Sequence, residues 1–308
     1  MRVITITLLV ALLAGLFIIG IITKNFSRIL EVMQQFRLGD LKARVQVKSA
    51  GDIKQVSDIF NEMADILTQN IEKLKEVEIL RRELIANVSH DLRTPISIVQ
   101  GYIETMQIKD GQLSAEERKR YLLIVSESIG KLQKLVSELF ELSKLEANQV
   151  KPVKESFFIS ELVNDISSKY QLIAKDKNIS ITTFLSKGLP PVYADVALIE
   201  RVMQNLIDNA MKFTPDGGKI TIKTNKHKNE IEIIVQDTGI GIPENERKQI
   251  FGRYYKANNF TDLKNSTGLG LAIIKKILDL HQSSLELVTE INSGTSFVFR
   301  LPVYQAGN

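Results

Sequence analysis

The sequence predicts a multidomain protein of α and α+β class, on three observations. Residues 3–22 carry no charge and are apolar almost throughout. From residue 52 to residue 95 the chain runs at helical periodicity with neither Gly nor Pro before Pro95. After residue 153, short β-branched runs alternate with helical segments, the pattern of an α/β layer. With 308 residues, 44% hydrophobic and 25% charged, the chain can bury more than one core and is not compositionally disordered. Cysteine is absent, which excludes disulfides, a thiolate nucleophile and Cys-based metal sites. The net charge of +4 comes without aromatic-interleaved basic runs, so nucleic acid is not an expected partner.

Residues 3–22 match the roughly 20 helical residues needed to cross about 30 Å of hydrocarbon, so a single transmembrane helix is assigned to residues 1–23. A cleaved signal peptide is the alternative, but its apolar stretch is shorter, about 7–15 residues, and ends in a small-residue cleavage site that is missing here. Only Arg2 precedes the span, while Lys24, Arg28, Arg37, Lys42 and Arg44 follow it. The positive-inside rule therefore puts everything after residue 23 in the cytoplasm, with membrane lipid as one partner.

Beyond the span, Ile29, Leu30 and Met33 recur at helical spacing until Gly39-Asp40, and a short alternating segment, LKARVQV, leads to a second helix near Asp52. This helix, connector, helix order, with FRLGDLKARV and GDIKQVSDIFNEMA, resembles the HAMP relay of membrane receptors over residues 20–72. The second helix is far longer than an ordinary globular helix, so it reads as a coiled coil or stalk, which usually implies a dimer. After a turn at residues 108–112, Ser114 and Glu117 form a capping-box pattern that starts another long helix. Along it Ile129, Leu132, Val136 and Leu139 repeat at three-four spacing. Residues 73–149 are thus expected to form a helical hairpin that packs on a copy of itself as a four-helix bundle, giving a homodimer.

Inside the first hairpin helix stands NVSHDLRTPI, with His90 beside Asp91 and ahead of Thr94 and Pro95. At about 100° per residue His90 points away from the stripe of Leu84, Val88 and Leu92, so it is expected to be exposed. Exposed histidines are ordinarily just solvated side chains. A neutral imidazole is nonetheless a competent nucleophile, and Asp91 can hold one ring nitrogen protonated so that the other presents its lone pair. Thr94, four residues on, shares the helical face and could hold a water. The decapeptide resembles the H-box of sensor histidine kinases. There the histidine takes the γ-phosphoryl group of ATP, the adjacent acid assists, and the threonine serves a phosphatase activity toward the partner.

The segment 153–304 holds four clusters of chemical character. NLIDNAMKFTP sets Asn205, Asn209 and Lys212 on one side of a helix, with oxygen suited to Mg²⁺ and a lysine suited to phosphate. DTGIGIP follows an apolar strand, with Asp237 as an acceptor and Gly239 and Gly241 allowing close approach to a flat ligand. IFGRYYK offers Arg253 to phosphate. STGLGLAI puts Thr267, Gly268, Leu269 and Gly270 where a helix opens, and its N–H groups favour phosphate. Each cluster alone is a weak signal. In this order they resemble the N, G1, F and G2 boxes of the Bergerat (GHKL) ATP-binding fold, an α/β sandwich shared by histidine kinases, Hsp90-type chaperones, type II topoisomerases and mismatch-repair ATPases. The resemblance implies ATP and Mg²⁺ as cofactors, Asp237 on the adenine amino group, Asn209 on Mg²⁺, Lys212 on a phosphate and Phe213 near the base. Residues 243–267 would form a mobile lid.

The function expected is a membrane-bound sensor histidine kinase. It would autophosphorylate on His90 with ATP and pass the phosphoryl group to an aspartate of a response regulator receiver domain, with phosphatase activity toward it. An ATPase driving conformational change would need no H-box, and a degenerate adaptor would have lost Asn209, Asp237 or His90. One span with no extracytoplasmic domain leaves the stimulus to the bilayer, to a membrane protein partner or to a segment upstream. His227, in a charged turn, and His281, read as a cation at a helix C-terminus, are assigned no function.

Overall fold

The computed structural model describes residues 2–46, 51–247, 249–252 and 267–305. The chain divides into two compact units, Met1–Ile85 and Ala86–Asn308. The first contains α1 (Arg2–Arg37) and the opening turns of α2 (Asp52–Ile108). Among the described residues α1 is the one helix long and apolar enough to cross a membrane, and its apolar stretch buries nothing within the chain. Past that stretch Ile29 turns inward and packs with Val45, Phe60 and Ala64. Phe36 meets Phe60 edge to face at 5.9 Å. The alternating connector forms no strand among its described residues, because its hydrogen bonds go to a side chain. The Asn61 amide accepts the Val45 N–H and donates to the Val45 carbonyl, both at 2.9 Å, as a neighbouring strand would.

The second unit begins within α2, which continues through Pro95 to Ile108. Proline contributes no N–H to the helix ladder, but the flanking turns hold the helix together. A short turn leads to α3 (Ala115–Glu146), where Ser114 Oγ accepts the Glu117 N–H at 3.1 Å and Glu117 Oε2 accepts the Ser114 N–H at 2.9 Å. The two bonds close the capping box that the spacing predicts and satisfy two of the helix's orphan donors. Of the expected seam, Ile129 and Val136 are exposed within the single chain, whereas Leu135, Leu142 and Leu145 are buried. α3 thus has a second inward face, turned to the domain that follows.

That domain comprises β1 (Glu155–Phe157), α4 (Ile159–Lys175), β2 (Ser180–Leu185), β3 (Val192–Ala194), α5 (Val196–Phe213), β4 (Lys219–His227), β5 (Glu230–Asp237), α6 (Gly270–Leu280), β6 (Glu286–Glu290) and β7 (Gly294–Pro302). Five strands form a mixed sheet in the order β2-β4-β5-β7-β6, with β2 parallel to β4 and the other neighbours antiparallel. α4 lies on β2, α5 on β4 and β5, and α6 packs on α5 and α3. On α5 Ile199, Val202, Met203, Leu206 and Ile207 are wholly buried at three-four spacing, and Ile231 and Ile233 of β5 face them in strand alternation. The result is an α/β sandwich. The separate β1–β3 pair was not legible in sequence, since three residues per strand are too few to show alternation.

His281 departs from its expected role as a cation at a helix C-terminus. It caps the C-terminus of α6, only 3% exposed, with Nδ1 donating to the Ile277 carbonyl at 2.8 Å and Nε2 accepting the Asp195 N–H at 3.1 Å. These partners fix a neutral tautomer. Burial, with the Lys154 charge adding to it, holds the ring below its ordinary value of 6.5, and the bond to the Ile277 carbonyl and the Asp195 charge oppose this only partly. The unfolded chain therefore binds the proton more readily, so stability rises with pH in this window and is lost as pH falls below about 6.5. The slope from this group is at most about 1.4 kcal/mol per pH unit. Melting temperatures between pH 7.5 and 5.5 should fall more steeply in the wild type than in His281→Gln, and parallel curves would refute the assignment.

Candidate active site

α5 organises the site. Its N-cap is Asp195, whose Oδ1 accepts the Leu198 N–H at 3.0 Å, and the apolar stripe fixes the helix on the sheet. The face beside that stripe then presents Asn205, Asn209 and Lys212 to a cavity of about 440 Å³. Asn205 is 5% exposed, and its Nδ2 is buried with no hydrogen-bond partner. A buried donor left unmade is costly, and the residue that carries it lines the cavity. Lys212 Nζ also stands 4.8 Å from the centre of the Phe213 ring, which lines the same cavity.

β5 delivers Asp237 to the cavity at its C-terminal end. The Gly239 and Thr295 backbone N–H groups both donate to Oδ1, at 2.8 and 3.1 Å. Oδ2 has no protein donor among the described residues and is available to a ligand. Desolvation raises the carboxyl above its ordinary value and outweighs the two backbone bonds that lower it. Gly241 adopts φ +70°, and a Cβ there would run into the Glu290 backbone, so the loop after β5 lies directly against the β6–β7 turn. At the start of β7, just after that turn, Gly294, at φ +100°, abuts the Asp237 carbonyl.

The fourth cluster completes the wall. Thr267, Gly268 and Gly270 line the cavity, Gly268 at φ +67°, and Leu269 is the N-cap of α6. Arg253 and most of the expected lid lie outside the described residues; Ile250 and Pro243 line the near side.

Sequence reasoning missed several participants. Glu138 and Lys134 of α3 line the cavity, and Glu138 Oε2 accepts the Thr267 hydroxyl at 2.5 Å across 129 positions of sequence. Tyr170 donates to Asp208 at 2.8 Å at the same cavity, and its burial pushes the phenol above the ordinary tyrosine range. The Thr295 contribution is a backbone N–H, which leaves no side-chain signature. No local pattern could have exposed these long-range pairs.

His90 does not line the cavity. Its side chain is 79% exposed on α2, with Nδ1 3.3 Å from Asp91 Oδ1. The Thr94 hydroxyl donates to the His90 carbonyl at 3.3 Å, one turn back on the same face. The protein thus keeps a phosphate-suited cavity and a solvent-facing, carboxylate-oriented imidazole on different elements of one unit.

A parallel-plus-antiparallel sheet under three helices, with an acid at a strand end and a polar helix face across the cavity, defines an ATP-binding domain. Residues 194–305 match the family described as histidine kinase-, DNA gyrase B- and HSP90-like ATPase. Residues 80–148 match the His Kinase A (phospho-acceptor) domain and residues 17–69 the HAMP domain. With these three domains the chain belongs to the sensor histidine kinases. It is 36% identical over 248 residues to drug sensory protein A of Synechocystis sp., covering 77% of this chain and 37% of that protein. It is 35% identical over 255 residues to sensor protein SrrB of Staphylococcus aureus, covering 82% and 41%. The chain thus spans about two-fifths of the length of these curated relatives, 37% and 41%. Among solved structures, histidine kinase ThkA in complex with response regulator protein TrrA is 27% identical, with a TM-score of 0.60 over 73% of this chain and 63% of that one. Histidine kinase AdeS of Acinetobacter baumannii, 24% identical over 70% of this chain and 98% of that one, shares the fold with a TM-score of 0.57.

Proposed function

We propose that this chain is a membrane-bound, homodimeric protein-histidine kinase that transfers the γ-phosphoryl group of ATP to His90. The observation that carries the reading is the convergence of Asn205, Asn209, Lys212, Asp237 and Thr267, from three separate sequence clusters, on one cavity. The fit to ATP is chemical as well as spatial. Asp237 Oδ2 can accept the adenine amino group, the loop after β5 can lie along the base, and the unmet Asn205 amide and Lys212 suit phosphate oxygens. Asn209 would supply an oxygen to Mg²⁺, which when bound to the triphosphate offsets the charge on the group in transfer.

Asp91, facing Nδ1, favours the tautomer in which Nε2 carries the lone pair. Nε2 attacks the γ-phosphorus in line, the N–P bond forms, and the bond from γ-phosphorus to the β,γ-bridging oxygen breaks with ADP as leaving group. The phosphoryl group then passes to a carboxylate oxygen of a response regulator receiver domain. ThkA was captured with such a regulator, which supports that choice of partner. Thr94 shares the face of His90, and its hydroxyl would turn from the His90 carbonyl to position a water for dephosphorylating the regulator. The exposed Ile129 and Val136 of α3 suit burial against a second hairpin, and α1 suits a single membrane crossing with the kinase portion cytoplasmic. Stimulus reception would then involve lipid or a membrane protein partner.

The test uses the whole chain in detergent with γ-labelled ATP and Mg²⁺. Wild type should acquire acid-labile, alkali-stable label, and His90→Gln should acquire none above background. Label surviving in the variant would overturn the role of His90. ATP hydrolysis without label in either protein would instead favour an ATPase that drives conformational change.

A further inference from the structure

α3 turns three charged side chains, Lys134, Glu138 and Glu141, toward the ATP-binding domain at intervals of four and three residues, so they share one helical face. Lys134 Nζ stands 3.7 Å from Asp208 and 3.9 Å from Glu138. Glu138 takes the Thr267 hydroxyl at 2.5 Å. Glu141 grips Arg201 with both carboxylate oxygens: Oε2 accepts from Nε at 3.0 Å and from Nη2 at 2.7 Å, and Oε1 accepts from Nε at 3.1 Å. The planar fork makes this the most directional of the three contacts.

Glu138 differs from its neighbours in being shut in: its side chain is 4% exposed, and it forms part of the cavity wall. A triphosphate is strongly anionic, and a carboxylate sharing a water-poor cavity with it opposes its entry. Lys134 is 60% exposed and solvent-screened, so it offsets only part of that repulsion. Glu141 and Arg201 lie outside the cavity wall, so they stabilise docking without meeting a nucleotide.

We propose that these contacts form a nucleotide-released latch in which Glu138 is the catch. With α3 docked, its carboxylate holds Thr267 and disfavours the triphosphate. When ATP binds, Glu138 withdraws and the docked face loosens, freeing the domain to approach the phosphoacceptor. The coupling is reciprocal, so docking weakens ATP binding by the factor by which ATP weakens docking. The inference rests on the ATP reading above.

Affinities of the whole chain for ATP and for uncharged adenosine separate the possibilities. Wild type should bind both. Glu138→Gln, nearly isosteric, should tighten ATP by about fivefold or more with adenosine unchanged. Glu141→Ala, remote from the cavity, should tighten ATP relative to adenosine in the same direction by a smaller factor, because it shifts the population toward the undocked state. A wild type that binds neither ligand defeats the ATP reading and the latch with it. A wild type that binds ATP, with the ATP-to-adenosine ratio unchanged in Glu138→Gln, overturns the latch alone. A ratio that moves in Glu138→Gln and stays put in Glu141→Ala also overturns it, since Glu138 is then only a local charge.

Discussion

Asp237→Asn is expected to lower affinity for ATP by about 10- to 100-fold, the worth of a hydrogen bond to a charged group in a water-poor site. The replacement keeps the shape of the side chain and leaves one oxygen to accept the Gly239 and Thr295 N–H groups. The other terminal atom becomes an NH₂, a donor set against the adenine amino donor. Loss of an acceptor thus becomes an active mismatch. Folding should respond the other way. Burial raises the Asp237 carboxyl, so the folded state binds its proton more readily than the unfolded one, and stability declines as pH rises past the ordinary aspartate value of 3.8. Asparagine has no such ionisation, so the ligand-free variant should melt no lower than wild type at neutral pH. Calorimetric titration with ATP and a melting curve read the two effects. Unchanged affinity would remove Asp237 from the base-binding role, and a large drop in melting temperature would make its role structural.

Gly241→Ala should damage both stability and nucleotide binding. The left-handed backbone costs an L-residue roughly 1–2 kcal/mol. The added Cβ also falls on the Glu290 backbone, and overpacking of this kind costs about 1–3 kcal/mol more. Relief requires the loop after β5 to lift from the β6–β7 turn. That turn leads directly into Gly294 and the Thr295 N–H that holds Asp237, so the acid loses its alignment as the loop moves. A melting temperature lowered by several degrees, together with weaker ATP binding, is the expected pair of results. A variant with wild-type affinity would show that the close approach of loop and turn is incidental.

What was legible in the sequence was what repeats locally. The segments 160–175 and 196–213, which the sequence pattern marks as helical, are α4 and α5 almost to the residue, and Ser114 and Glu117 announce a cap through two residues three apart. The cavity clusters were legible for the same reason, since Asn205, Asn209 and Lys212 share a helix face by arithmetic. The Glu138–Thr267 and Glu141–Arg201 contacts were not legible, because they join positions 129 and 60 apart whose meeting depends on the packing of α3 against α5 and α6. α3 was read with one apolar seam; its second buried face, Leu135, Leu142 and Leu145, runs beside that seam and is interrupted by the charged Glu138, so the two stripes read as one. His281 was misread because a histidine after a helix end looks like a cation, and only tertiary packing reveals the N–H of Asp195 on its other nitrogen.

Asp195 has a further consequence through its second carboxylate oxygen, which takes the Val153 N–H at 2.8 Å. The strand of chain leaving α3 at Glu146 is therefore tied down again at Val153. Between the two points lie seven peptide steps, roughly 25 Å at full stretch. Once undocked, the nucleotide-binding body swings on a leash of that length from the foot of α3. Its reach toward a histidine is set by that leash together with the distance from Val153 to the cavity.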